Sequence, residues 1–208
     1  MAGDLYIGLM AGRAGGDPFD RHLFACAVAI VRATSRQPLS VGLGLSPEAL
    51  AALVGRFFPH APVLLAGLSA TGHDDAPVAP EEPDLRALLL EHRTSGLVEE
   101  EWLAHIIARR SLETNHLWQD LGLTGRPDLS GLMRRHFAGL AVLNHRDMKW
   151  KKFFYRELCQ REGIPICRSP NCEVCADFTL CFGAEDGASL LSPLALSQTR
   201  HCSLPAQA

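Results

Sequence analysis

Apolar residues recur at three- and four-residue spacings along most of the chain, the period of helices with one buried stripe. Asp17-Pro18 places a capping side chain before a proline at the first helical position, and Leu23, Phe24, Ala27, Val28 and Val31 follow in helical register. Ser46-Pro47-Glu48 repeats that start signal for a helix ending near Phe58-Pro59. Residues 67–83 read as a loop or linker rich in small and turn-forming residues. Helices are then expected over about 81–92 and about 98–113, the second burying Trp102, Ile106 and Ile107. Asn115 to Gly122 reads as a short capped helix stopped by glycine. From Asp128, the positions Leu129, Leu132, Met133, Phe137 and Leu140 predict one amphipathic helix. A last helix covers about 148–162 with Trp150, Phe153, Phe154 and Leu158 inward, and Gly163 and Pro165 end it. Sustained period-two alternation and internal repeats are absent. The expected architecture is all-α: a flexible N-terminus over 1–16, a compact helical domain over 17–183, and a loose tail over 184–208.

With 47% hydrophobic residues in 208, the chain can bury a sizeable core. Its longest apolar run, Leu23 to Val31, is far short of the roughly 20 residues that span a bilayer, so it reads as a buried helix and no membrane span is expected. Asp4, with no basic residue before Arg13, is unlike a secretory signal, and a cytoplasmic location is expected. The net charge of −3 is unevenly spread. Residues 1–125 hold nine arginines against fifteen acids, whereas residues 126–168 hold ten basic residues against four acids. All three lysines, Lys149, Lys151 and Lys152, lie in this basic region. Such a patch is a handle for something anionic. The acidic remainder and the lack of a recognition motif argue against nucleic acid.

Seven cysteines in a chain expected to be cytoplasmic argue against a disulfide framework. Four of them form Cys167-x4-Cys172-x2-Cys175-x5-Cys181. Thiolates are soft ligands for zinc or iron–sulfur clusters. Structural zinc sites usually join two separated pairs, whereas these four come from one short loop, a crowding closer to cluster-binding runs. Spacing favours an iron–sulfur cluster and leaves zinc open. Cys26 reads as a small core residue, Cys159 as packing with a spare ligand role possible, and Cys202 as idle. On the preceding helix, Lys149, Lys152 and Arg156 share one face by spacing. This face is either merely solvated, or it stabilises cluster charge, receives a small oxyanion or docks an acidic partner. His116, His136 and His145 stand as second-rank candidates, since a lone histidine is more often structural, although imidazole completes mixed cysteine sites. The glycine-rich pieces GRAGGDP and GLGLSP lack a phosphate-loop lysine and its context.

The stretch MKWKKFFYRELCQREGIPICRSPNCEVCADFTLCFG, Met148 to Gly183, resembles the C-terminal signature of the NifQ family, and NHLWQDLGL, Asn115 to Leu123, resembles a second signature. The resemblance is strong over roughly residues 98–183. It implies a carrier rather than an enzyme: a protein holding a molybdenum–iron–sulfur cluster and supplying molybdenum to the nitrogenase iron–molybdenum cofactor. The implied partners are the cofactor-assembly scaffold complex and the nitrogenase iron protein, with molybdate the expected molybdenum source. The implied cluster ligands are Cys167, Cys172, Cys175 and Cys181. In a cubane of three irons and one molybdenum, one thiolate per iron leaves the fourth cysteine to hold molybdenum, or molybdenum keeps oxygen ligands and an imidazole such as that of His116. Two rivals use the same cysteines: an electron-transfer iron–sulfur protein and a zinc-stabilised interaction module.

Overall fold

The computed structural model describes residues 2–12, 15–66, 68, 79–164 and 172–191. Among these, every regular element is a helix, as the periodicity predicts. None is long and apolar enough to cross a membrane.

The core forms around α2 (Pro18–Thr34), in which every residue from Leu23 to Val31 is buried. A helix apolar on all sides is stable only when other helices surround it. Asp17 starts it, its carboxylate accepting from the Phe19 and Asp20 backbone N–H groups at 2.8 and 3.3 Å. Against α2 pack α1 (Ala2–Ala11) and α3 (Leu39–Leu43). Next comes α4 (Pro47–Phe57), capped by Ser46. Its Phe57 meets Phe24 with ring centroids 4.9 Å apart, and Phe24 also meets Trp102 at 6.0 Å. α5 (Glu81–Glu91) and α6 (Val98–Ser111) pack against each other. α7 (Leu117–Asp120) links this pair to α8 (Arg126–His136) and α9 (Ala138–Leu143). α10 (Trp150–Arg161) lies on α5, burying Trp150, Phe153 and Phe154, and α11 (Phe178–Phe182) ends the order.

Gly122 shows how closely α7 is pressed to the core. Its φ is +71°, and a Cβ there would lie 2.7 Å from the Cys26 carbonyl oxygen of α2. Both the left-handed turn and the approach require glycine.

Three expectations are corrected. The N-terminus over 1–16 is not wholly a flexible lead: α1 buries Tyr6 and Leu9 in the core. The stripe from Leu129 to Leu140 is two helices, broken at Phe137 (φ −139°, ψ 51°). Thr94 fills the break, its N–H donating to the His136 carbonyl at 3.0 Å and its Oγ1 accepting from the Ala138 N–H at 2.9 Å. Finally, the tail begins docked. Gln119 Nε2 donates to the Ala188 carbonyl at 3.0 Å, Ser189 Oγ donates to that of Leu123 at 3.0 Å, and Leu191 is fully buried. Residues 192–208, with Cys202, lie outside the described residues.

Candidate metal centre

The region before the cysteines is built on a tight turn. Asn144 clamps it, its Oδ1 accepting from the Met148 N–H and its Nδ2 donating to the Met148 carbonyl, both at 2.9 Å. Asp147 inside the turn has φ 55°, a left-handed conformation that aspartate tolerates better than most residues. The turn delivers Lys149 to the N-cap of α10. From there its backbone N–H donates to the Cys181 carbonyl at 2.8 Å, and its Nζ donates to the Thr179 carbonyl at 3.3 Å. One end of the cysteine segment is thus tied to the body of the protein.

The rest of that segment is a run of short turns. A 3₁₀ turn covers Cys172–Val174, with the Cys175 N–H donating to the Cys172 carbonyl at 3.2 Å and the Phe178 N–H to that of Cys175 at 3.1 Å. Phe178 and Phe182 stack at 4.8 Å on α11, and the Arg146 guanidinium lies 5.4 Å from the Phe182 ring centre. Cys172, Cys175 and Cys181 are half-buried and within reach of solvent, and none of the three is in a disulfide. Their donor chemistry suits a soft metal or cluster. Their arrangement is open: among the described residues no three His, Cys, Asp or Glu side chains stand together to hold a metal ion. Cys167, the remaining motif cysteine, lies outside the described residues. Cys159 is half-buried and free, while Cys26 is sealed in the core. Burial, with the nearby Asp128 charge adding to it, pushes the Cys26 thiol well above its ordinary pKa.

The basic face divides. Lys149 is engaged with α11. Lys152 is exposed and, with Lys151, Ser111 and Tyr155, borders a cleft of about 450 Å³ that also has Glu81 and Glu113 on its rim. Arg156 is half-buried, and its Nε has no hydrogen-bond partner among the described residues. Lys151, outside the proposed stripe, makes the strongest contact, with its Nζ 2.6 Å from Asp120 Oδ2 and 2.6 Å from the Glu113 carbonyl oxygen.

The histidines also separate. His136 is buried and bonded to Asp20 at 2.9 Å, a structural pair, and His145 is exposed with Nδ1 3.2 Å from the Leu143 carbonyl oxygen. His116 sits at the N-cap of α7 with its Nδ1 3.5 Å from Glu185 Oε1. Glu185 Oε2 is 2.9 Å from Arg126 Nη1, and Arg126 Nη2 reaches Asp147 Oδ1 at 2.8 Å and the Met148 carbonyl at 3.0 Å. Sequence reasoning missed Glu185 and Arg126, because neither lies in a periodic pattern or beside the cysteines.

The NifQ family profile matches residues 23–183. The chain belongs to the NifQ family. That places it in a family related to nitrogen fixation. It is 40% identical over 178 residues to a NifQ homologue of Sinorhizobium fredii, covering 82% of this chain and 75% of that one. It is 43% identical over 150 residues to NifQ of Rhodobacter capsulatus, covering 71% and 79%. It is 40% identical over 152 residues to NifQ of Azotobacter vinelandii, covering 69% and 78%. No solved structure matches. The family match runs from within α2 to the end of α11, takes in the four motif cysteines and His116, and stops two residues before Glu185.

Proposed function

We propose that this NifQ family member carries a molybdenum–iron–sulfur cluster and supplies its molybdenum for synthesis of the nitrogenase iron–molybdenum cofactor, without catalysing a reaction itself. One observation carries the reading. Cys172, Cys175 and Cys181 are partly exposed on short turns, in a segment tied to the helical body through the Cys181 carbonyl. A cargo meant for delivery needs ligands that a partner can reach. A permanently caged centre would instead favour ligands fixed in place by their surroundings. Cys167, Cys172, Cys175 and Cys181 are the proposed ligands, and a cluster there would bring soft, sulfur-bridged metal chemistry. The chain's own residues bind it and keep it accessible. Lys152, facing the cleft, offers a cation to incoming molybdate or to an acidic partner surface. The cofactor-assembly scaffold complex and the nitrogenase iron protein are the proposed partners, in the cytoplasm.

The test is anaerobic purification with iron, acid-labile sulfide, molybdenum and zinc analysis, followed by delivery in a reconstituted cofactor-synthesis assay. Brown protein that holds iron, sulfide and molybdenum, and loses the molybdenum to the assay, is the expected result. Colourless protein with stoichiometric zinc overturns it in favour of an interaction module. A cluster retained unchanged through the assay overturns it in favour of electron transfer.

A further inference from the structure

We infer that a cavity between the ends of α2 and α6 binds a small tetrahedral oxyanion, held by Arg110 and Arg36.

The cavity, of about 330 Å³, opens where α2 passes into the loop before α3 and where α6 passes toward α7. Its lining is polar except for Leu190, which comes from the docked start of the tail. Such a wall has little to hold an apolar ligand and much to hold one that takes hydrogen bonds. At roughly 30 Å³ for each water, the space takes a tetrahedral oxyanion together with several waters.

Arg110 sets the sign of the ligand. Its side chain is only 4% exposed, and a guanidinium so far out of water keeps its charge and needs partners for its N–H groups. Nε donates to the Asp120 carbonyl at 2.8 Å, and Nη1 donates to Glu113 Oε1 at 3.1 Å. Nη2 makes no hydrogen bond among the described residues, and Arg110 lines the cavity. Burial pulls the Arg110 pKa below its ordinary value against the opposing charges of Glu113 and Asp120, so a further anion at Nη2 would be stabilising. The negative pole at the end of α6 does not account for this side chain, because it turns to α7 and to Glu113.

Two carboxylates also line the cavity, and both are already met. Asp120 Oδ1 accepts from Asn115 Nδ2 at 2.9 Å, its Oδ2 lies 2.6 Å from Lys151 Nζ, and Glu113 is paired with Arg110. Arg36 lines the cavity, is exposed, and has no hydrogen bond or ion pair among the described residues. Arg36, Arg110 and Lys151 therefore stand against two carboxylates, and the donors left over belong to guanidinium groups. Such forks match the oxygens of a tetrahedral oxyanion. The Ser35 hydroxyl, which accepts from the Gln37 N–H at 3.1 Å, keeps its own proton to donate.

The test is isothermal titration calorimetry of the full, metal-free, reduced chain with molybdate, sulfate and phosphate in turn. Wild-type protein should bind at a single site. Arg36→Gln removes an exposed cation and should weaken binding about tenfold, the usual effect of losing a charge-assisted hydrogen bond. Glu113→Gln keeps an oxygen for Arg110 but removes a charge that repels the ligand, and should tighten binding. Arg134→Gln takes an equal charge from an exposed residue of α8 outside the lining and should leave the affinity within about twofold in 0.1 M salt. Arg110→Lys keeps the charge without the fork and should also weaken binding, with circular dichroism checking its fold; the two surface variants decide the matter if it does not fold. A preference for molybdate of about tenfold or more would make the cavity an entry site for the molybdenum of the carrier reading, and equal binding of all three a general oxyanion site; either result carries the inference. No binding by any of the three up to about 10 mM, an unchanged affinity in Arg36→Gln, or a loss in Lys152→Gln instead of Arg36→Gln overturns it. The carrier reading is judged separately, by iron, sulfide and molybdenum in anaerobically isolated protein, and stands or falls without this cavity.

Discussion

Lys151 Nζ and Asp120 Oδ2 lie 2.6 Å apart, joining the two segments, Asn115–Leu123 and Met148–Gly183, that carry the family's signatures. Asp120 is almost fully buried, its other oxygen accepting from Asn115 Nδ2 at 2.9 Å, and Lys151 is four-fifths covered. Replacing Lys151 with Met keeps the stem but leaves a buried carboxylate short of its cation. It should cost about 2 kcal/mol in urea unfolding. Lys152→Met, one residue along and exposed, should change stability by less than about 0.5 kcal/mol. Adding Asp120→Asn to Lys151→Met should cost less than the two single changes together, because the unpaired charge is gone. Equal costs for the two lysines would remove the distinction.

His105 should make the fold sensitive to mild acid. Burial lowers its pKa from 6.5; the bond its Nδ1 makes to the Gly44 carbonyl at 2.9 Å raises it, and the Arg86 charge lowers it further, leaving it lowered overall. The unfolded chain therefore binds the proton first. The stability linked to His105 is complete above about pH 6.5 and declines below it until the folded group also titrates. His105→Asn keeps an N–H donor for Gly44 and cannot titrate, so its Tm should fall less than wild type between pH 7.5 and 5.5. Parallel decline of the two proteins would exclude His105 as a source of the sensitivity.

The cysteines should divide by chemistry. In metal-free, reduced protein, Cys172, Cys175 and Cys181 should react with an alkylating reagent well before unfolding, whereas Cys26, buried with a raised thiol pKa, should react only on unfolding. Anaerobic loading should protect the three, and removing the metal with a chelator should restore their reactivity. Loaded protein alkylated at these three at the metal-free rate would show that they do not hold the cargo.

Much of the fold was legible because its signals are local. Asp17-Pro18 and Ser46-Pro47 start helices in the structure as capping chemistry requires, and the all-apolar run from Leu23 to Val31 became the central helix. The break at Phe137 was not legible. The apolar stripe continues through it, and what ends the helix is Thr94, more than forty residues earlier. α1 was missed because Ala2–Ala11 has no side-chain start signal of the kind at Asp17, so its order comes from burying Tyr6 and Leu9. For the candidate site, the cysteine spacing was readable and the division of the basic face was not.

The sequence by itself determined that the protein is helical and that four cysteines, soft ligands by type, fall in one short run. Helical periodicity and ligand softness are properties of residue types and short spacings, and they survive without knowledge of distant neighbours. Only the tertiary structure decided that Lys151 rather than Lys152 neutralises Asp120, that Lys149 holds the Cys181 carbonyl, and that Glu185 meets His116 and Arg126. These choices depend on which side chains become buried side by side. Burial makes a charge or a polar atom demand a partner, and in a folded chain that partner need not be near in sequence.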